Sequence, residues 1–329
     1  MKLHCIPILS ALFTSLVCFS NPATKISDNS PSSGIVIRWN DCEQTIDGFG
    51  IAQAGWAKEL FAFKNRKQVM DKMFGNDGLR LNILRGEIFP HYWENKEDKD
   101  FNLNDDINIE LCDSDFNNKS DDLLRRGQLW LTLEAKNKYH INKLVFSTWS
   151  APAWMKSNGK VSNGKLKPEC YQDFANYLAA FYKAYKSKGI TPYAISPSNE
   201  PGYAAPWNSS LWTADEMGKF ITSNLGPTFQ KENIPAKIIF GENPLWSVVM
   251  PQLKMVSSKD FTDTILQDYP EIKKFNLIAA GHGYSLSPDI MPIKVDKEYL
   301  KTPIIPFDAA EKAHIPVWIT EISDVTPLD

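Results

Sequence analysis

The sequence predicts an α/β fold, a (β/α)8 TIM-type barrel lacking its eighth strand-helix unit, and three observations carry that expectation. From Gly34 onward, short apolar stretches alternate with longer segments of helical period, the rhythm of a parallel sheet whose crossovers are helices. The units recur at roughly 30 to 40 residues, the length of one strand and its helix in a barrel of ~250 or more residues. The rival doubly wound sheet is marked by G-x-G-x-x-G, and here Gly48-Phe49-Gly50 and Gly281-His282-Gly283 are each followed by the wrong residues.

Seven segments read as strands: Thr45–Gly50, Leu79–Ile88, Lys143–Ser150, Pro192–Glu200, Ala236–Asn243, Leu277–Tyr284 and Pro316–Ile322. Between them the clearest helix is Glu169–Lys188, where Phe174, Tyr177, Leu178, Phe181, Tyr182 and Tyr185 recur at three- and four-residue spacing and share one face. Gly189 stops it. Thr213, with Glu216 three residues on, opens the next helix as a capping box. Further helices are expected at Gln53–Phe74, Asp121–Tyr139, Phe261–Lys274 and, briefly, Asp308–His314. No internal repeat is visible.

Residues 1–20 have the layout of a secretory signal peptide: Lys2, an apolar run from Ile6 to Phe19, then small and polar residues around Ser20 and Ala23. The run, about 14 residues, is short of the roughly 20 a membrane helix needs, and no later segment is apolar enough to span a bilayer. Cleavage and a secreted or periplasmic location are expected, with no stable membrane insertion. Residues 21–34, rich in Ser, Asn and Pro, read as a flexible spacer, and residues 35–329 as the barrel.

A composition of 43% hydrophobic and 23% charged residues excludes disorder and fibrous folds. Thirty-six basic against 39 acidic residues leave a formal charge of −3, so no positive field gathers a phosphate backbone and nucleic acid is not an expected partner. Once the leader is removed, Cys42, Cys112 and Cys170 remain, with no C-x-x-C pair; neither a zinc site nor a disulfide framework is indicated, while one bridge plus one thiol stays open. Asn118-Lys119-Ser120 and Asn208-Ser209-Ser210 match the glycosylation sequon. No H-E-x-x-H, phosphate loop or G-x-S-x-G elbow occurs, and no metal or cofactor is expected.

In a barrel, chemistry sits where strands end and loops begin. Two strand ends deliver a carboxylate there: Ile195-Ser196-Pro197-Ser198-Asn199-Glu200-Pro201 and Val317-Trp318-Ile319-Thr320-Glu321-Ile322. A carboxylate leaving an apolar strand has to be compensated or put to use. Two facing each other across a barrel mouth suit glycoside hydrolysis, in which one carboxyl group protonates the leaving oxygen and the other attacks or activates water. Ten tryptophans add flat apolar faces on which sugar rings stack, with Trp149, Trp154, Trp207 and Trp318 the candidates.

The segments Asp47-Gly48-Phe49-Gly50, Ser147-Thr148-Trp149-Ser150-Ala151-Pro152-Ala153-Trp154-Met155-Lys156, Tyr193-Ala194-Ile195-Ser196-Pro197-Ser198-Asn199-Glu200-Pro201, Gly281-His282-Gly283-Tyr284 and Trp318-Ile319-Thr320-Glu321 resemble glycoside hydrolase family 30, in order and over most of the chain. That family holds glucuronoxylanases, endo-β-1,6-galactanases, β-1,6-glucanases and glucosylceramidases. The resemblance implies a retaining mechanism with Glu200 as general acid/base and Glu321 as nucleophile. It also implies that Asn199 bonds the sugar 2-hydroxyl or the nucleophile, and that Arg85, the strand-two arginine, lowers the pKa of Glu321. Trp149, His282, Tyr284 and Trp318 would line the site, His282 and Tyr284 sharing one strand face.

Against the resemblance, the eighth unit and most of the family's small β-sandwich are missing, Gly34–Trp39 being its candidate first strand, and the chain reads as a fragment of a longer frame. The acidic loop from Phe89 to Lys119 is long and is expected to build part of the cleft. The expected function is a secreted retaining hydrolase of a polysaccharide of xylan or β-1,6-galactan/glucan type. The alternatives are a glucosylceramidase-type enzyme acting on glycolipid and a carbohydrate-binding barrel without turnover.

Overall fold

A computed structural model describes residues 38, 40–42, 44–53, 56–93, 95–97, 127–247, 255–284 and 305–322. The leader at 1–20, the spacer at 21–34, all but Arg38 of the Gly34–Trp39 strand, most of the acidic loop, Cys112 and the Asn118 sequon lie outside the described residues. The chain divides into a unit ending at Asp47 and one that begins at Gly48, and all that follows concerns the second.

Seven strands form one parallel sheet in chain order: β1 (Gly50–Ala52), β2 (Ile83–Glu87), β3 (Lys143–Ser147), β4 (Ala194–Ser196), β5 (Lys237–Phe240), β6 (Leu277–His282) and β7 (Val317–Glu321). Flat, such a sheet would hold β2 and β7 about 24 Å apart, five steps of ~4.8 Å. Instead Arg85 on β2 meets Glu321 on β7 at 2.6 Å, so the sheet curls into a nearly closed TIM-type barrel. Among the described residues β1 and β7 each pair with one neighbour only, and on β7 Ile319 is half exposed. Register aligns the strand ends: Glu87 lies opposite Ser147, Ser147 opposite Ser196, and His282 opposite Glu321. A register shift between Gly281 and His282 re-aims the end of β6.

Val145, Ala194, Ile239, Ile278 and Ala280 form one buried layer, with Ile83, Tyr193 and Trp318 packed against it. The larger core lies between strands and helices. Its helices are α1 (Ala57–Ala62), α2 (Arg66–Phe74), α3 (Gln128–Tyr139), α4 (Tyr171–Ser187), α5 (Ala214–Phe220), α6 (Gly226–Lys231), α7 (Ser258–Asp268) and α8 (Asp308–Lys312). The aromatic face of α4 presses onto β3, with Phe146 edge-on to Phe181 at 5.0 Å and to Tyr185 at 4.9 Å. Gly189 ends α4 at φ +82°, donating to the Lys186 carbonyl while Ile190 donates to Tyr185, the paired bonds of a Schellman cap. The capping box at Thr213 and Glu216 is formed in both directions.

The expected helix Gln53–Phe74 is two helices, broken where Phe63 turns extended and Arg66 caps the Phe61 carbonyl at 2.6 Å. The one expected at Phe261–Lys274 begins at Ser258, because Ser257 accepts from the Asp260 amide, and ends before Pro270, which opens a 3₁₀ turn. Between α5 and α6 the helix widens into a π turn, Ile221–Leu225. Cys170 is a buried free thiol.

Fully buried Phe181 and half-exposed Ile319 predict unequal costs of truncation. Urea unfolding of Phe181→Ala should show a loss of about 3–5 kcal/mol, and of Ile319→Ala a change within about 0.5 kcal/mol.

Candidate active site

The C-terminal ends of five strands, β2, β3, β4, β5 and β7, meet at one guanidinium. Arg85, 4% exposed on β2, donates from Nη1 to Glu321 Oε2 at 2.6 Å and from Nη2 to Asn199 Oδ1 at 2.7 Å and Glu242 Oε1 at 3.2 Å. Its fork also lies 4.7 Å over the ring of Trp149, just past β3. Three acceptors from three elements therefore share one buried cation, which the flanking carboxylates hold charged despite the desolvation opposing it.

Glu321 accepts a second bond, 2.6 Å from the Tyr284 hydroxyl onto Oε1. Burial pushes its pKa up, but Arg85, His282 and the Tyr284 bond outweigh that, and the carboxyl group is held below its ordinary range. Glu242 is fully buried just past β5. Desolvation would raise its pKa, and the opposing pull of Arg85 and His282 takes it well below the carboxylate range. The Ser147 hydroxyl donates to it at 2.9 Å.

His282 is fully buried, with Nδ1 3.0 Å from Glu200 Oε1 and Nε2 3.9 Å from Glu242 Oε1, an ion-pair distance rather than a hydrogen bond. Burial disfavours the imidazolium, yet the bond to Glu200 and the charges of Glu242 and Glu321 prevail, raising the pKa from 6.5 to about 9. At neutral pH His282 is thus a cation donating Nδ1–H to Glu200.

Glu200 itself sits at φ +46°, a left-handed conformation that costs a non-glycine residue about 1–3 kcal/mol and persists only where neighbours enforce it. The neighbours are both flanking strands: Asn199 donates to the Thr148 carbonyl beyond β3 at 2.7 Å, and Glu200 to the Glu242 carbonyl beyond β5 at 2.9 Å. The Asn243 side chain takes the Gly202 amide at 2.7 Å. Beyond β5, Gly241 at φ +96° makes the turn that admits Glu242; a Cβ there would lie 2.5 Å from Thr262 Oγ1 and 2.8 Å from the Ala280 carbonyl.

Of the residues expected from sequence, Glu200, Glu321, Asn199, Arg85, Trp149, His282 and Tyr284 are brought into this one contact network. Trp318 is not. Its ring stacks on Tyr193, ahead of β4, at 6.0 Å and 7° between planes, against the buried barrel layer and three residues short of Glu321. Trp154 donates to the Trp93 carbonyl at 3.1 Å. Glu242 was missed, although it carries a signal like that of the other two carboxylates: a Glu close to the end of an apolar run, one glycine beyond Ile238-Ile239-Phe240.

Atoms of Glu200, His282 and Glu321 lie within 4.8 Å of one another, spacing that suits a metal ion. A cation there would have to displace the His282 proton and compete with Arg85 and Tyr284 for Glu321. What the trio does offer is a carboxyl group with a cationic donor on one side and a compensated carboxylate on the other.

Because the folded pKa of His282 exceeds its ordinary 6.5, its protonation stabilises the fold fully below pH 6.5, and that contribution is lost as pH rises toward 9. In urea titrations across this range, the stability of wild type relative to His282→Gln should fall by on the order of 3 kcal/mol.

Residues 46–274 match the Glycosyl hydrolase family 30 TIM-barrel domain. "Putative glucosylceramidase 3" of Caenorhabditis elegans is 30% identical over 251 residues, 73% of this chain and 45% of that protein. Endo-1,6-beta-D-glucanase of Neurospora crassa is 28% identical over 237 residues, 67% of this chain and 45% of its own. The glycoside hydrolase family 30 subfamily 8 xylanase Xyn30A from Clostridium acetobutylicum has the same fold, with a TM-score of 0.56 at 24% identity over 84% of this chain and 56% of that one. The chain spans less than half the length of the curated relatives it matches. By the extent of the domain match, this chain belongs to glycosyl hydrolase family 30.

Proposed function

We propose that the protein is a secreted retaining β-glycoside hydrolase of a polysaccharide, of xylan or β-1,6-galactan/glucan type, working by double displacement. The observation that carries this reading is the approach of the Glu200 and Glu321 carboxyl groups, with oxygens within 4.8 Å. Retention requires carboxyl groups about 5–5.5 Å apart, whereas inversion needs room for a water molecule and roughly 6.5–9.5 Å.

In the first step a Glu321 oxygen attacks the anomeric carbon as the bond to the leaving oxygen breaks, and Glu200 gives that oxygen its proton. In the second, Glu200 takes a proton from the water that attacks the same carbon, releasing Glu321 and the sugar with its original configuration. Arg85 and His282 are two cations and Glu242 and Glu321 two compensated carboxylates; the proton-moving role falls to Glu200 by its place in the family motif. Arg85 fixes the Asn199 amide through its oxygen, so its Nδ2 hydrogens are those offered to a sugar 2-hydroxyl. Trp149, backed by Arg85, offers the glycone a face.

A second reading, a β-glucosidase acting on glycolipid, is favoured by the 30% identity to "Putative glucosylceramidase 3". Release from xylan, β-1,6-galactan, β-1,6-glucan, an aryl β-glucoside and glucosylceramide separates the two. A chain that binds these carbohydrates but hydrolyses none would favour the binding barrel.

Glu321→Gln should lower kcat by more than about a thousand-fold on every substrate. Glu200→Ala should lower it ~100-fold or more on polysaccharide, far less on aryl glycosides with good leaving groups, and azide should restore part of the rate. Since Glu321 must be ionised to attack, kcat/KM should fall on the acid side below its ordinary value of 4.5. In Arg85→Met that limb should move to higher pH.

A further inference from the structure

Trp207 stands apart from the other tryptophans. It is 45% exposed, the one exposed tryptophan among the described residues. Exposure of a single apolar residue is ordinary; the anchoring of this one is not. Trp207 lies in the segment 201–212 that directly follows Glu200, and that segment is closed at its base by the Trp212 amide donating to the Pro201 carbonyl at 2.8 Å. Tyr203, whose amide bonds the Glu200 carbonyl at 2.9 Å, meets the Trp207 ring edge-on at 6.2 Å. The far side is pinned by Ser209, whose hydroxyl donates to the Ala205 carbonyl at 2.8 Å and accepts from the Asn163 amide at 2.9 Å.

Beneath Ser209 lies Lys156, 2% exposed, which donates to the Ser209 carbonyl at 2.6 Å and to the Ser150 hydroxyl at 3.1 Å. Its burial is deep enough to bring its pKa down to about 7. A buried amine held by neutral acceptors is a costly way to fasten a loop. Its effect is to tie the segments after β3 and β4 together, along with the bonds from Leu211 to Gly164 and from Ser209 to Val161. The segment after β4 is therefore held on both sides, at Gly202 by Asn243 beyond β5 and at Ser209 and Leu211 by the segment after β3.

We propose that Trp207, braced by Tyr203, is a stacking platform for the sugar ring on the leaving-group side of the scissile bond. The assignment rests on Glu200 being the acid/base. A group that protonates the bridging oxygen faces the leaving group, whereas the ring attacked by Glu321 lies over Arg85, Asn199, Trp149 and Tyr284. A tryptophan fixed through Tyr203 on the segment that leaves Glu200 meets the departing ring and the acceptor ring of transglycosylation. It selects for a leaving group with a flat apolar face, a saccharide rather than a small alcohol.

The test compares Trp207→Ala and Trp207→Phe with wild type on a matched pair: the xylo- or β-1,6-gluco-oligosaccharide that wild type hydrolyses, and the glycosyl fluoride of the same sugar, whose leaving group has no ring. Trp207→Ala should lower kcat/KM about ten-fold on the oligosaccharide and leave the fluoride unchanged, with Trp207→Phe close to wild type. Unchanged oligosaccharide hydrolysis, or equal losses on both substrates, would overturn the platform. If wild type hydrolyses neither substrate, the hydrolase reading fails separately and calorimetry of oligosaccharide binding decides. An affinity about ten-fold weaker in Trp207→Ala supports the platform, and equal affinity or no wild-type binding overturns it.

Discussion

One buried cation organises this barrel mouth. Arg85 is the shared donor to Glu321, Asn199 and Glu242, groups that arrive on β7, after β4 and after β5. Two carboxylates in so dry a place would be prohibitive alone, and a buried ion pair stripped of one partner typically costs several kcal/mol. Arg85 thus makes the active-site carboxylates compatible with folding, and its two faces, a planar fork and a surface over Trp149, use geometry that a lysine does not have. The sheet's curl and the site's chemistry meet in the single contact between β2 and β7.

His282 is the second cation, and its position makes the site a relay rather than a pair. It touches Glu200 directly and feels Glu242 at 3.9 Å, so the buried Glu242 acts on Glu200 through the imidazole and on Glu321 through Arg85. The backbone supports the same division: Glu200 occupies a left-handed conformation enforced by bonds to both neighbouring strands. Strain held at this residue and at no other non-glycine member of the contact network fixes where its carboxyl group points. Family membership and shared fold set the chemistry in a wide class.

The seven strands were legible because parallel strands buried on both faces read as short apolar runs at regular spacing. Boundaries were less so. Thr45–Gly50 gave way to Gly50–Ala52, since pairing with β2 starts only where Gly50 meets Ile83, and Asn82 holds Phe49 ahead of it. The break at Phe63 and the π turn after Phe220 are settled by packing that periodicity does not encode. In the site, residues inside extended motifs were found, while Glu242, in a segment without one, was passed over although it too lies at the C-terminal end of an apolar strand. Trp318 shows the converse: a motif places it near Glu321 in sequence, but its ring stacks on Tyr193 in the barrel.

The most direct test of a covalent role for Glu321 is inactivation with a 2-deoxy-2-fluoroglycoside of the sugar that the enzyme releases, followed by peptide mapping by mass spectrometry. The account predicts one fluoroglycosyl group per chain, on the peptide carrying Glu321 and turning over slowly. A label on Glu200 or Glu242, or hydrolysis with no trapped adduct and an inverted product, would contradict it.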